Sequence, residues 1–314
     1  MCLVFLRFKF IFFMYQTLKK YNLITLHVMV LILGFTGILG KLISIEATYL
    51  VWYRMLIAFL ALFIFLLIKK EAFDIPKRFI LPLLGIGVIV ALHWYFFFES
   101  IKVSNVSVAV VCLATSSLFS AFIEPIFFKR KLKIYEVVFA IIVLLALAYV
   151  VDADISYRLG YIYGILAAFL GTLFTIFNAR LIKKVDAAKI TMLEMLSGTI
   201  LLSILFLVQY DYTVFTSFIS LNDFAYLFIL GTLCTAGVFV WMTEIMRYIT
   251  PYSLIMAINL EPIYSIILAL LLFGESEKMN LPFYVGSSII LIVIFLEGYL
   301  QQKNKKKQLQ YIYD

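Results

Sequence analysis

Charge is scarce in this chain. Only 14% of its 314 residues are Asp, Glu, Lys or Arg, against 65% that are hydrophobic. Soluble domains are nearer a quarter charged and half apolar, so a soluble fold has nowhere to hide this much apolar surface. Histidine is almost missing. His27 and His93 are the only two, which excludes a His-rich metal site. The three cysteines, Cys2, Cys112 and Cys234, have no CxxC or Cys/His spacing, and the last two fall inside apolar runs as small core residues. DxxD, HExxH and GxSxG motifs are absent, and the aqueous loops are too short for a catalytic domain. No catalytic residue, metal or cofactor is therefore expected, and an intramembrane lipid-modifying enzyme is the weaker alternative. The net charge of +8 does not imply nucleic acid, because its placement in loops matters more.

What the chain has in abundance is long apolar segments. Ten lie near 22–43, 47–68, 79–100, 105–128, 134–151, 159–182, 188–209, 223–247, 251–273 and 281–300. Most approach the ~20 residues a helix needs to cross a ~30 Å hydrocarbon core. The expected fold is an all-α integral membrane protein with ten transmembrane helices in a lipid bilayer. Residues 1–20 are apolar but broken by Arg7 and Lys9, so they read as a cytoplasmic or interfacial segment, or as a leader to a start at Met14. Basic residues cluster at alternate loops. With a cytoplasmic N-terminus, 21 of the 26 fall on the inner side, leaving Lys41, Arg54, Lys102, Arg158 and Lys278 outside. That asymmetry places both termini in the cytoplasm, with residues 303–314 as a basic tail, in a multi-pass protein of the cell membrane (the inner membrane in a Gram-negative cell).

An internal repeat is visible. IKVSNVSVAV at 101–110 aligns with RYITPYSLIM at 247–256, and GFTGILGKLI at 34–43 with GTLFTIFNARLI at 171–182. The halves, 21–151 and 152–302, then hold five helices each. An odd number makes the second half enter the membrane from the opposite side, which is an inverted-topology repeat with a site expected where the halves meet.

The most informative stretch is SLIMAINLEPIYSIILALLLFGE, 253–275. It carries Asn259, Glu261 and Pro262 near the bilayer midplane. A charged residue there costs roughly 2.5–3.5 kcal/mol on insertion scales, so it faces a partner or a wet cavity. Proline removes a helical backbone donor, and a broken helix beside polar groups is how transporters build sites within the membrane.

The pattern resembles the drug/metabolite transporter superfamily, EamA-type branch, over residues 20–302. The resemblance rests on the ten helices in two halves and on Arg54 early in the second helix (YLVWYRMLIAFLAL). It rests also on the hairpin HWYFFFESIKVSNVSVAVVCLATSSLFSAFIEP and on LEPIYSIILALLLFGE. It implies a carrier that moves small metabolites across the membrane, often outward. Single, asymmetric polar groups favour a carrier over a channel, whose filters are built from rings. The expected substrate is a small metabolite such as an amino acid or amine, with drug efflux as the alternative and protons as a candidate coupling ion. The expected binding residues are Glu261, Asn259, His93, Trp94, Thr115, Ser116, Tyr264 and Trp241, in a cavity between helices 3, 4, 8 and 9. Gating or coupling falls to Glu124, Arg54, Glu99, Glu244 and Asn178. Arg54 is expected to pair with Glu46 or Glu99, Glu99 with Lys102, and Glu244 with Arg247. Glu124 does not align with Glu261; counting from Ser107 and Ser253, Thr115 does. The oligomeric state is left between monomer and homodimer.

Overall fold

A computed structural model describes residues 22–71, 74–153, 155–211 and 219–313. The segment 1–20 lies outside the described residues. Among the described residues the chain is helical, with no strand. The first half comprises α1 (Asn22–Leu42), α2 (Ala47–Ile68), α3 (Lys77–Val103), α4a (Val106–Leu113), α4b (Ser116–Phe128) and α5 (Ile134–Ala153). The second comprises α6 (Arg158–Leu181), α7 (Ala187–Val208), α8a (Leu221–Gly231), a π-turn (Thr232–Gly237), α8b (Val238–Ile245), α9a (Pro251–Ile258), α9b (Glu261–Phe273) and α10 (Leu281–Tyr313). Nine of the resulting spans are long and apolar enough to cross a membrane, and α1 adds the shorter apolar run Leu26–Leu42. This is a polytopic α-helical membrane protein of two five-span halves. The tenth helix runs on to Tyr313, through the residues expected as a tail.

Polar side chains start several of these helices. Asn105, Asp186, Ser220 and Thr250 each accept a hydrogen bond from a backbone N–H of the first turn they precede. Such caps satisfy donors that lipid cannot. Successive spans alternate in direction. One end of the bundle collects the loop residues 69–71, 74–76, 129–133, 182–186 and 246–250 and is rich in Lys and Arg; we call it the basic end. The opposite end collects 43–46, 104–105, 155–157, 209–211, 219–220 and 274–280.

The packing follows the repeat. The second helices of the two halves, α2 and α7, face each other, and so do the fifth, α5 and α10. The third helix, α3, wedges between α6 and α7. There a Cβ on Gly87 would meet the Glu194 carbonyl oxygen at 2.4 Å, so only glycine permits the approach of α3 to α7. The α4 and α9 helices cross: α4a packs on α9b and α4b on α9a. The main core runs through α1–α4 and α6–α9, whereas α5 and α10 pack against α4, Tyr161 of α6 and α9a in a smaller cluster at the side.

Candidate functional site

Two helices break at matching points. In the first half, eight helical residues, a two-residue interruption at Ala114–Thr115 and thirteen helical residues make up α4. In the second, eight residues, an interruption at Asn259–Leu260 and thirteen residues make up α9. Both begin on a side-chain cap, Asn105 and Thr250, and both end on a residue of positive φ, Lys129 (φ 53°) and Gly274 (φ 55°). This register sets Ser116, not Thr115, opposite Glu261. The count from Ser107 and Ser253 differs from this register by one residue.

The breaks are made by different chemistry. In α9, Pro262 has no N–H to offer the Ile258 carbonyl, and the chain turns through tighter bonds, Leu260 N to Ala257 O and Ile263 N to Leu260 O, both 3.1 Å. In α4 there is no proline at the break. Three successive hydroxyls bond back to carbonyls three residues earlier: Thr115 to Cys112 (2.6 Å), Ser116 to Leu113 (2.6 Å) and Ser117 to Ala114 (3.0 Å). The Cys112 and Ala114 carbonyls also accept the backbone amides of Thr115 and Ser117, so the hydroxyls compete with the regular helical bonds at this point.

A cavity of about 80 Å³ lies beside the two breaks. It has room for several waters. Its walls are Leu113 and Ser116 of α4, Ile255, Ile258, Asn259 and Glu261 of α9, and His93, Trp94 and Phe97 of α3. Phe239 and Met242 of α8b join them. Beyond helices 3, 4, 8 and 9, three others contribute: Leu33 and Thr36 from α1, Arg54 from α2, and Gly171, Phe174 and Thr175 from α6. Asn259 caps α9a, and its amide Nδ2 is buried without a hydrogen-bond partner. Glu261 opens α9b and is 5% exposed. His93 Nδ1 lies 2.7 Å from the Ala167 carbonyl oxygen, and its ring meets Phe174 edge-on.

Arg54 is the residue whose surroundings differ most from expectation. It pairs with neither Glu46 nor Glu99. It is 1% exposed, and its guanidinium lies 3.8 Å from the centre of the Trp94 ring and 5.4 Å from that of Phe98. Nε donates to Thr235 Oγ1 at 2.6 Å, while Nη1 is buried without a hydrogen-bond partner. Thr235 sits in the π-turn of α8, and its hydroxyl also bonds the Leu230 carbonyl, five residues back, at 2.6 Å. The local widening of α8 thus presents Thr235 to Arg54, as π-bulges at functional positions do.

Three of the residues expected at the cavity are placed elsewhere. Thr115 spends its hydroxyl on the backbone, as described. Tyr264 bonds His27 Nδ1 through its hydroxyl at 3.3 Å and packs against Gly34. Trp241 is buried in the main core without lining the cavity.

The remaining polar residues sort to the two ends. At the basic end, Arg130 holds Glu136 with two bonds (2.8 and 3.1 Å) and stands 3.7 Å from the buried Glu124. Glu244 pairs with Arg247 at 2.9 Å, as its spacing predicts, and Arg247 reaches the Val185 carbonyl across the bundle. Lys189 bonds Asp74 at 2.5 Å and holds its exposed carboxyl below the usual carboxylate range. Asn178 lies beside Glu194, and both are fully buried in α6 and α7.

At the opposite end, Glu99 is half-buried near Tyr95 and Glu46, and Lys102 turns from it to the Ile43 carbonyl. The strongest tie there was not anticipated. Glu277 is fully buried in the loop between α9 and α10. Its carboxylate accepts from Lys41 Nζ (2.7 Å), from the Val106 and Ser107 amides (3.1 Å each) and from Ser107 Oγ (3.0 Å). It therefore caps α4a from the other half of the chain. Only the four-residue string Gly-Glu-Ser-Glu hinted at it, and the sequence did not say which glutamate turns inward.

A family model described as the EamA-like transporter family matches residues 20–151 and again 158–298. The chain belongs to the EamA-like transporter family, a group of membrane transporters of small molecules. No curated protein sequence matches it. Among solved structures, one titled only "Crystal structure of protein" is similar in fold, with a TM-score of 0.64 over 87% of this chain and 96% of its own, at 13% identity.

Proposed function

We propose that this protein is a secondary-active carrier that moves a small metabolite, such as an amino acid or amine, through the cavity beside the two helix breaks. The observation that carries the reading is Glu261: a buried carboxyl at a helix break, on the wall of a cavity, in the middle of an apolar span. Groups of this kind in the membrane serve substrates, ions or protons. Broken helices from two inverted halves are the arrangement in which rocking of one half against the other exposes a central site to each side in turn.

In this reading Glu261, Asn259, His93, Trp94 and Ser116 meet the substrate, and Glu261 exchanges a proton as the coupling step. The Glu277 tie is the gate of the opposite end, closed in the state described here. The distribution of basic residues supports a cytoplasmic basic end, with both termini on that side. The domains are the two halves 21–151 and 152–302.

The test is flux. Metabolite profiling of cells with and without the protein, followed by uptake into proteoliposomes of the metabolites that change, gives a substrate. Glu261→Gln, expressed at the wild-type level, is expected to lose transport. Wild-type flux in that variant would remove Glu261 from the mechanism.

A further inference from the structure

The cavity holds charge of both signs, and the two charges do not cancel by contact. Arg54 and Glu261 both line it. No ion pair at 4.0 Å or less joins them, although each lies within electrostatic reach of the other. Arg54 is also short of partners. Arg54 has a neutral hydroxyl at Nε, aromatic faces against its plane and nothing at Nη1. Asn259 adds a second unpartnered donor, Nδ2, on the same wall.

The chemistry of these groups is specific. A guanidinium is a planar fork of donors that fits a carboxylate or another oxyanion edge-on, and it stays charged when buried. Stacking on Trp94 supports the cation and fixes its plane but accepts none of its outer N–H groups. A carboxylate accepts, and a primary ammonium brings three donors. The demand of the cavity is therefore an oxyanion at one side and a cation at the other.

Ligands with one charge meet only half of that demand. A simple amine would satisfy Glu261 and leave Arg54 unpaired. A simple carboxylate would do the reverse. Either leaves a net charge buried in the middle of the membrane, where an uncompensated charge is most costly. A dipolar ligand satisfies both walls and leaves the loaded cavity neutral.

We propose that Arg54 is the oxyanion-binding residue of the cavity and that the substrate is a zwitterion, its carboxylate seated on Arg54 and its ammonium on Glu261. This rests on the carrier reading above. It assigns Arg54 a role in selecting substrate, where the sequence suggested a gate. The aromatic and aliphatic walls, Trp94, Phe174, Phe239 and Ile255, then receive the apolar remainder of the ligand.

The experiment uses the purified full chain in detergent and three matched sets of probes. Each set is an amino acid, the amine that lacks its carboxylate and the acid that lacks its ammonium, built on alanine, leucine and phenylalanine. Thermal unfolding is followed with each probe at pH 7. At ten times Kd a zwitterion is expected to raise Tm by roughly 2 °C or more, with its amine and acid inert. Arg54→Gln should abolish that shift and leave a preference for the amine. Glu261→Gln should abolish it and leave a preference for the acid. If Arg54→Gln aggregates, Arg54→Lys decides instead: it keeps the charge without the fork, and weaker binding with the zwitterion still preferred supports the proposal.

Stabilisation of the wild type by an amine alone, unchanged in the Arg54 variants, overturns the proposal and leaves the carrier intact. Absence of any zwitterion effect across the three sets overturns it too. Failure of the carrier reading shows differently, as proteoliposomes that move none of the profiled metabolites whatever binds.

Discussion

The two broken helices share a shape and differ in chemistry. Helix α4 and helix α9 match in the length of each piece, in the capped start and in the positive-φ stop. Yet α9 breaks at a proline and places an amide and a carboxyl at the gap, whereas α4 breaks through three hydroxyls folded back on their own carbonyls. The lesson is that the repeat preserves the scaffold and not the site. The first half supplies its charge from a different helix, at Arg54 of α2, so the cavity is asymmetric although its frame is nearly symmetric.

The comparison is sharpest at the equivalent positions Ser116 and Glu261. Glu261→Gln is expected to lower flux at least ~30-fold, the equivalent of about 2 kcal/mol at a buried charge contact. Ser116→Ala should cost less than ~3-fold in the same assay, since its hydroxyl is already committed to the Leu113 carbonyl. Equal losses in the two variants would show that the halves contribute alike.

The next effect concerns the ends. Glu277→Ala takes the carboxylate from Lys41, which keeps Ser276 Oγ, and leaves two backbone N–H groups at the start of α4a without their acceptor, and thermal unfolding should show a loss of roughly 3 kcal/mol. Flux should change with it, because this tie joins the halves. Gly87→Ala forces a methyl group into the α7 backbone, and a loss of about 1–3 kcal/mol in the same scan is expected.

The smallest effect belongs to the basic end. Asp74 is exposed, and its carboxyl is held low by Lys189, so its stabilising share is present above the usual carboxylate pKa and fades as pH falls through the lowered value. Solvent screens such pairs. Asp74→Asn should leave Tm at pH 7 unchanged within error.

Much of the frame was legible before any coordinates. Apolar length and alternating basic loops mark ten spans, because lipid demands continuous helices and the basic residues stay on one side. The α9 break was legible too, since proline and a midplane acid both announce themselves. The α4 break was hidden, because hydroxyls inside an apolar helix read equally well as packing. Helix α8 concealed its π-turn for a similar reason: Thr-Leu-Cys-Thr-Ala-Gly has no breaker at its centre. Arg54 was misjudged and Glu277 missed, both through their depth. Each lies near a span end in sequence, yet long side chains and crossing helices bring one to the cavity and bury the other between the halves. Such placements depend on tertiary packing, which periodicity does not encode.

The central claim is that the two breaks border one water-reached cavity that opens to each side in turn. Cysteine labelling tests it most directly. With Cys2, Cys112 and Cys234 replaced, a single cysteine at Ser116 is exposed to a membrane-impermeant thiol reagent from either face. The account predicts labelling from the basic end with Glu277 intact and added labelling from the opposite end in Glu277→Ala. A cysteine that stays unlabelled from both faces in both backgrounds would contradict it.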